Sequence, residues 1–209
     1  MTGRFFVARH GETVFNAAAR MQGSALHTPL TRAGFAQADE MGALLRALLG
    51  AKPRLDLWAS PTGRALQTLA VIAEHLELDW HQARTDVRLR EIDLGDWDHR
   101  HYAEVMAEVG PIIDSATGLF IRRPPGGEWY DEIAARLRSW LDDIRGDTGD
   151  RLVVMHGMSS RVLRGLLVGG PERPGCGTPI ADGIRQGAFV EIADGVERVL
   201  EQGDSFEPF

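Results

Sequence analysis

The chain has one cysteine, Cys176, so no internal disulfide can form, and the flanking Gly175 and Gly177 put it in a loop. A lone thiol of this kind suits a reducing compartment and a residue without a role of its own. No stretch of about 20 apolar residues occurs, so nothing in the sequence is built to cross a membrane. The N-terminus lacks the basic segment and long apolar run of a secretory signal. These absences lead us to expect a cytoplasmic protein. Lysine is almost missing as well: of 23 basic residues, only Lys52 is not an arginine. The balance is acidic, with a formal net charge of -7. That excludes general nucleic-acid binding, which depends on cations set against phosphates. His99-Arg100-His101 has no carboxylate or cysteine set around it at zinc-like spacing, so we expect neither a metal nor a cofactor.

What is present is a chain of 209 residues, 44% hydrophobic and 25% charged, read as a single domain over 1–209. Arg4–Ala8 (RFFVA), Leu55–Ala59 (LDLWA) and Leu152–Met155 (LVVM) read as buried strands, and Arg84–Leu89 as a further one. Helical spacing runs from Thr31, a plausible N-cap, to a stop at Gly50 and Pro53. Further helices are expected from about Thr62 to Leu76, near Tyr102–Val109, over Glu128–Ile144 and from about Ser159 to Val168. Ala188–Ala193 and Val196–Glu201 flank Asp194-Gly195, a tight-hairpin signal. The stretch from 93 to 129, with its Pro124-Pro125-Gly126-Gly127 run, reads as a small excursion over the active site. Strands alternating with helices predict an α/β three-layer sandwich with a mostly parallel central sheet and one antiparallel edge strand.

In such sheets ligands bind beyond the carboxyl ends of the strands. Arg9-His10 follows the first strand directly, Ser60–Arg64 the second and His156 a later one. Glu91 follows the Arg84–Leu89 segment. Two imidazoles and two guanidiniums then meet in one crevice of an acidic protein. Guanidinium pairs clamp phosphoryl groups bidentately, and a neutral histidine can attack phosphorus. A second, cationic histidine would stabilise charge on the equatorial oxygens, and Glu91 would protonate the leaving oxygen.

Arg9-His10-Gly11-Glu12-Thr13 resembles the signature of the histidine phosphatase superfamily, the phosphoglycerate mutase-like enzymes. Further blocks resemble the family in order: Asn16; Gln22-Gly23 with Pro29-Leu30-Thr31; Ser60-Pro61 with Arg64-Ala65; Leu89 and Glu91 with Gly95-Asp96-Trp97; and His156-Gly157 with Arg161. The chain departs from the family at His27-Thr28, Asp98-His99 and Met158. The resemblance implies His10 as nucleophile, with Arg9, Arg64 and His156 holding the phosphoryl group. Asn16 and the Gly157 N–H would help to hold it, and Glu91 would serve as proton donor; Gln22 and Gly23 are candidates for substrate contact, the alternative being plain loop. It implies no metal and no cofactor.

These readings predict a phosphomonoester hydrolase of the histidine acid phosphatase type, acting through a phosphohistidine on a small phosphorylated metabolite. The alternative is a cofactor-dependent phosphoglycerate mutase, and a third reading is an inactive binding module. Family mutases are usually longer in the excursion, with more basic residues there; this chain offers Arg100, Arg122 and Arg123. The Pro124–Glu128 run resembles the phosphatase branch, which includes enzymes acting on α-ribazole phosphate and sugar phosphates. Arg122 and Arg123 are candidates to reach over the pocket and grip a carboxylate or second phosphate, the alternative being a solvated loop. Arg161 is expected to support His156 or the fold. The partner expected is a small phosphorylated substrate, not nucleic acid or membrane; a homodimer is left open.

Overall fold

A computed structural model describes residues 3–201. Its elements are β1 (Phe5–Arg9), α1 (Val14–Ala17), α2 (Arg32–Leu49), β2 (Leu55–Ala59), α3 (Gly63–Leu76), β3 (Arg84–Thr85), α4 (Tyr102–Val109), α5 (Tyr130–Asp143), β4 (Asp150–Met155), α6 (Gly157–Val168), β5 (Phe189–Ala193) and β6 (Val196–Glu201). The sheet order is β3-β2-β4-β1-β5-β6. β3, β2, β4 and β1 run parallel, and β5 runs against β1 and β6.

The pleat sorts the core into two clusters, because successive strand residues face opposite sides. Phe5 and Val7 of β1 join Trp58, Val153 and Met155 beneath Ile133, Leu137 and Trp140 of α5 and Val162 and Leu163 of α6. Phe6 and Ala8 join Leu57, Leu152 and Val154 beneath Met41 and Leu45 of α2 and Leu69 and Ile72 of α3. Helices thus cover both faces, and the fold is the expected three-layer α/β sandwich.

Local chemistry accounts for most boundaries. The Thr31 side chain caps α2 by accepting from the Gly34 N–H, and the helix ends at Gly50, φ +79°. Asp194 and Gly195 both have positive φ, +50° and +74°, as the tight β5–β6 turn requires. The strand expected over Arg84–Leu89 is a correction. Only Arg84–Thr85 pairs with β2, and Val87–Leu89 forms a 3₁₀ turn. Asp86 accepts from the Arg88 backbone N–H and pairs with its guanidinium, which folds the chain back before a longer ladder can form.

The excursion is packed onto the core rather than standing off it. Trp97, Val105, Ile112, Leu119 and Phe120 are buried in the α5–α6 cluster. Its Pro-Pro-Gly-Gly run closes on Gly95, φ +50°, where an added Cβ would lie 2.2 Å from the Pro125 carbonyl oxygen. The Asp96 N–H donates to that same oxygen at 3.0 Å.

Candidate active site

Strand register places the two histidines side by side. Arg9 of β1 lies opposite Met155 of β4, so the next residues, His10 and His156, leave the sheet together. Their rings sit 5.1 Å apart, centroid to centroid, in an edge-on arrangement. Gly11 follows at van der Waals limits: a Cβ there would lie 2.2 Å from the Gly34 carbonyl oxygen. Glycine is needed for that approach of the loop to α2, and its φ is not among the positive values.

His10 is buried, with Nδ1 2.7 Å from the carbonyl oxygen of Gly11. A carbonyl can only accept, so Nδ1 carries the proton and Nε2 keeps its lone pair. Burial, then Arg64 and Arg9, hold the His10 pKa well below its ordinary value. The ring is therefore neutral at pH 7, the form that can attack phosphorus.

His156 has the opposite tautomer. Arg64 Nε donates to its Nδ1 at 3.2 Å, and its Nε2 lies 3.5 Å from Thr62 Oγ1. Burial and the neighbouring Arg64 also push its pKa well below the ordinary histidine value. The sequence predicts a cationic His156; the structure holds it neutral, because a guanidinium already donates to one ring nitrogen.

Arg64 is fully buried, and four of its five N–H groups are engaged. Besides His156, it donates to the Gly23 and Ala25 carbonyls and to Thr28 Oγ1, at 2.8, 2.6 and 2.9 Å. Burial is the main reason its pKa falls to about 10. Arg64 thereby ties α3 to the loop after α1 and to the β4–α6 junction.

In front of this pair opens a cavity of about 330 Å³, lined among others by Arg9, His10, Asn16, Gln22, Gly23, Glu91 and Gly157. Arg64 and His156 lie behind that wall rather than in it. Asn16 uses its Oδ1 to accept from the Thr13 N–H and from Gln22 Nε2. Its side-chain NH₂ is left for an anion. Thr28 Oγ1 donates to Gln22 Oε1, so the family departure at Thr28 serves to lock the loop that Arg64 holds.

Glu91 caps α6. Its carboxylate accepts from the Met158 and Ser159 N–H groups at 3.1 and 2.9 Å, and from the Ile92 N–H at 2.9 Å. The Gly157 side of the helix terminus faces the cavity, where N–H groups and the helix dipole favour anions. Glu91 is aimed by a node that sequence reasoning missed. Arg136 of α5 donates to the Arg88 and Glu91 carbonyls and pairs with Glu128, whose other oxygen accepts from the Asp93 N–H. The signal available was Arg136 on the otherwise apolar face of an amphipathic helix.

Arg122 and Arg123 do not line the cavity, which counts against the gripping role and for the loop reading. Arg123 donates to the Gly127 carbonyl and pairs with Glu132 at 2.8 Å, which holds it beside its own loop. The excursion instead brings Tyr102, Thr117, Gly118 and Phe120 to the cavity, and Arg20 and Arg161 line it too.

A family model for the histidine phosphatase superfamily (branch 1) matches residues 5–178. The chain belongs to that superfamily. Among curated relatives, the probable phosphoglycerate mutase GpmB of Enterobacter sp. (strain 638) is 33% identical over 169 residues, 79% of this chain and 75% of the relative. Among solved structures, a mycobacterial glucosyl-3-phosphoglycerate phosphatase complexed with VO3 is 26% identical, with a TM-score of 0.75 over 98% of this chain and 100% of that one. Another, described as a mycobacterial hydrolase 1, is 25% identical with a TM-score of 0.73 over 98% and 99%. Among the described residues no helix is long and apolar enough to cross a membrane.

The histidine pair carries a stability signature. The unfolded chain binds protons at His10 and His156 below about pH 6.5, while the folded site resists them. Stability is therefore present above that pH and lost as pH falls, by about 1.4 kcal/mol per pH unit for each histidine. Asp98 acts in the reverse sense. Burial, then Asp93, raises its pKa to about 6, so the folded state gains relative stability as pH falls through that value. Urea unfolding at about pH 7.5, 6 and 5 should show a net loss toward acid, steeper in Asp98→Asn. A flat or rising wild-type profile would show that the histidines are not held neutral.

Proposed function

We propose that the protein is a phosphomonoester hydrolase of the histidine acid phosphatase type, working through a phosphohistidine on a small phosphorylated metabolite. The observation that carries this reading is the His10 tautomer: Nδ1–H is fixed on the Gly11 carbonyl, which leaves an Nε2 lone pair beside Arg9 and His156.

In the first step, His10 Nε2 attacks phosphorus and the ester P–O bond breaks. The leaving oxygen takes a proton from the Glu91 carboxylic acid. In the second, the Glu91 carboxylate takes a proton from water, the new hydroxide attacks phosphorus, and the P–N bond breaks to return neutral His10 and inorganic phosphate. Arg9, the Asn16 NH₂ and the Gly157 N–H supply positive character to the equatorial oxygens. Arg64 supports them from behind by orienting His156 and the loop at Gly23. For its part, Glu91 must release at least one of its backbone N–H bonds to reach the leaving oxygen.

The mutase alternative keeps one specific support, the curated relatives named as phosphoglycerate mutases. Against it, a mutase must retain a bisphosphorylated species, and Arg122 and Arg123 lie away from the cavity.

The test uses p-nitrophenyl phosphate, an alkyl phosphate, and 3-phosphoglycerate primed with its bisphosphate. Phosphate release from both esters, with little 2-phosphoglycerate formed, is expected. Glu91→Gln should slow the alkyl ester far more than the p-nitrophenyl ester, whose leaving group needs no proton. Efficient isomerisation would favour the mutase. No turnover together with no acid-labile phosphoenzyme would leave only a binding module.

A further inference from the structure

We propose that Arg161 is the cavity's recognition site for a carboxylate on the substrate, about one helical turn from where the phosphoryl group sits. The inference rests on the phosphatase reading above and names the substrate class: short phosphomonoesters that carry a carboxylate away from phosphorus.

The position follows from α6. Gly157, Met158 and Arg161 all line the cavity, at the helix spacing that puts residues on one face. Four residues separate Gly157 from Arg161, so their backbones lie about 6 Å apart along the axis. The phosphoryl group is drawn to the N-terminal end and Arg161 stands beyond it, on the same wall.

The charge is what marks Arg161. Its residue is only 4% exposed. Its described hydrogen bonds go to neutral carbonyls: Nε to Ala181 at 2.9 Å and Nη1 to Thr117 at 2.9 Å. Among the described residues it makes no ion pair. The deeply buried arginines nearby on α6 and α5 each have one: Arg164 with Glu197 and Arg136 with Glu128. Burial lowers the Arg161 pKa, with Arg164 and Arg173 adding to this, while Tyr130 and Asp182, the latter beyond ion-pair distance, oppose it. A buried cation with no carboxylate in contact is costly, and a neutral amide would bind two carbonyls without that cost. A guanidinium at the wall of a cavity is explained if an anion arrives there.

The surroundings favour a carboxylate over a second phosphate. Phe120, Met158, Tyr102 and Ile184 supply apolar surface to the same cavity. One guanidinium matches one negative charge in such surroundings, whereas a dianion would need a further cation close by. The remaining cation in this part of the cavity, Arg20, is already placed 3.2 Å from His101 Nε2 and over the Phe15 ring. Arg161 also links the excursion at Thr117 to the segment at Ala181, and Arg9 Nη1 donates to the Ile184 carbonyl in that segment.

The test compares 3-phosphoglycerate with glycerol 3-phosphate, which differ by a carboxylate in place of a hydroxymethyl group. The readout is the ratio of the two kcat/KM values for phosphate release within one preparation, which does not depend on the folded fraction. The wild-type protein should prefer the carboxylate about tenfold or more. Arg161→Gln, which keeps donors for the two carbonyls, should bring the ratio close to one. Arg161→Lys, which keeps the charge, should retain part of the preference. Turnover of both esters without preference, or a preference that survives Arg161→Gln, overturns the proposal and leaves the phosphatase reading standing. A preference lost instead in Arg20→Gln overturns it in favour of that residue. No turnover of either ester, or of p-nitrophenyl phosphate, overturns the phosphatase reading and this inference with it.

Discussion

His10→Ala should lower turnover of p-nitrophenyl phosphate by about 10³-fold or more and abolish the acid-labile phosphoenzyme. The size of the effect follows from what the side chain supplies. Its ring is neutral because it is buried beside two guanidiniums, and Nε2 is free because Nδ1 is held by the Gly11 carbonyl. No described neighbour can take over. His156 stands 5.1 Å away, yet its Nδ1 accepts from Arg64, and its remaining nitrogen carries a proton toward Thr62. A variant without His10 keeps the anion-binding groups but must use water directly, so only slow residual hydrolysis remains. Acid quench after incubation with ³²P-labelled substrate should destroy the label on the wild-type protein, base quench should preserve it, and neither should find label on His10→Ala. Turnover within tenfold of wild type, or label retained, would remove His10 as nucleophile. His10→Gln provides the same reading with a side chain closer in size.

The parts of this structure legible in the sequence are those set by local pattern. β2, α4 and β6 occupy the ranges that periodicity and turn residues predict, because each is bounded by its own stop signal: Pro61, Gly110 and the Asp194-Gly195 turn. The strand at Arg84–Leu89 fails for a local reason as well, the Asp86–Arg88 pair, which alternation of apolar residues does not register. The placement of candidate residues at one end of the sheet was legible where they follow a strand or a motif directly, as His10, His156 and Gly157 do. Two things were not legible. One is direction: Arg122 and Arg123 lie in the excursion that covers the cavity, yet Glu132, from a later helix, turns Arg123 away from it. The other is depth. The resemblance implies roles in phosphate binding for Arg64 and His156, but only the packed loop at Gly23–Thr28 shows them standing behind the cavity wall. Positioning groups such as Arg136 and Glu128 are joined by long-range contacts, and no single motif contains both.

Arg64→Met should cost about 3 kcal/mol or more of folding stability and reduce kcat/KM by about 10²-fold or more. Methionine fills much of the volume but leaves the Gly23 and Ala25 carbonyls and His156 Nδ1 without their donor. Each buried acceptor so abandoned costs about 1–3 kcal/mol, less where water can enter. The activity loss is separable from the stability loss by a pH profile. Arg64 is the second contribution, after burial, to the depressed pKa of both His10 and His156. Removing its charge lets both rise toward the ordinary histidine value. Attack needs neutral His10, so the acid limb of kcat/KM should move to higher pH in Arg64→Met than in wild type. Arg64→Lys keeps the charge but cannot span four acceptors, so it should lose stability while leaving the acid limb nearer the wild-type position. If Arg64 merely braced the loop, both variants would lose stability alike and the limb would not move in either. A shift in Arg64→Met that Arg64→Lys does not share gives the guanidinium a second role. Its charge then keeps the neighbouring nucleophile unprotonated, while its hydrogen bonds hold the loop and His156 in place.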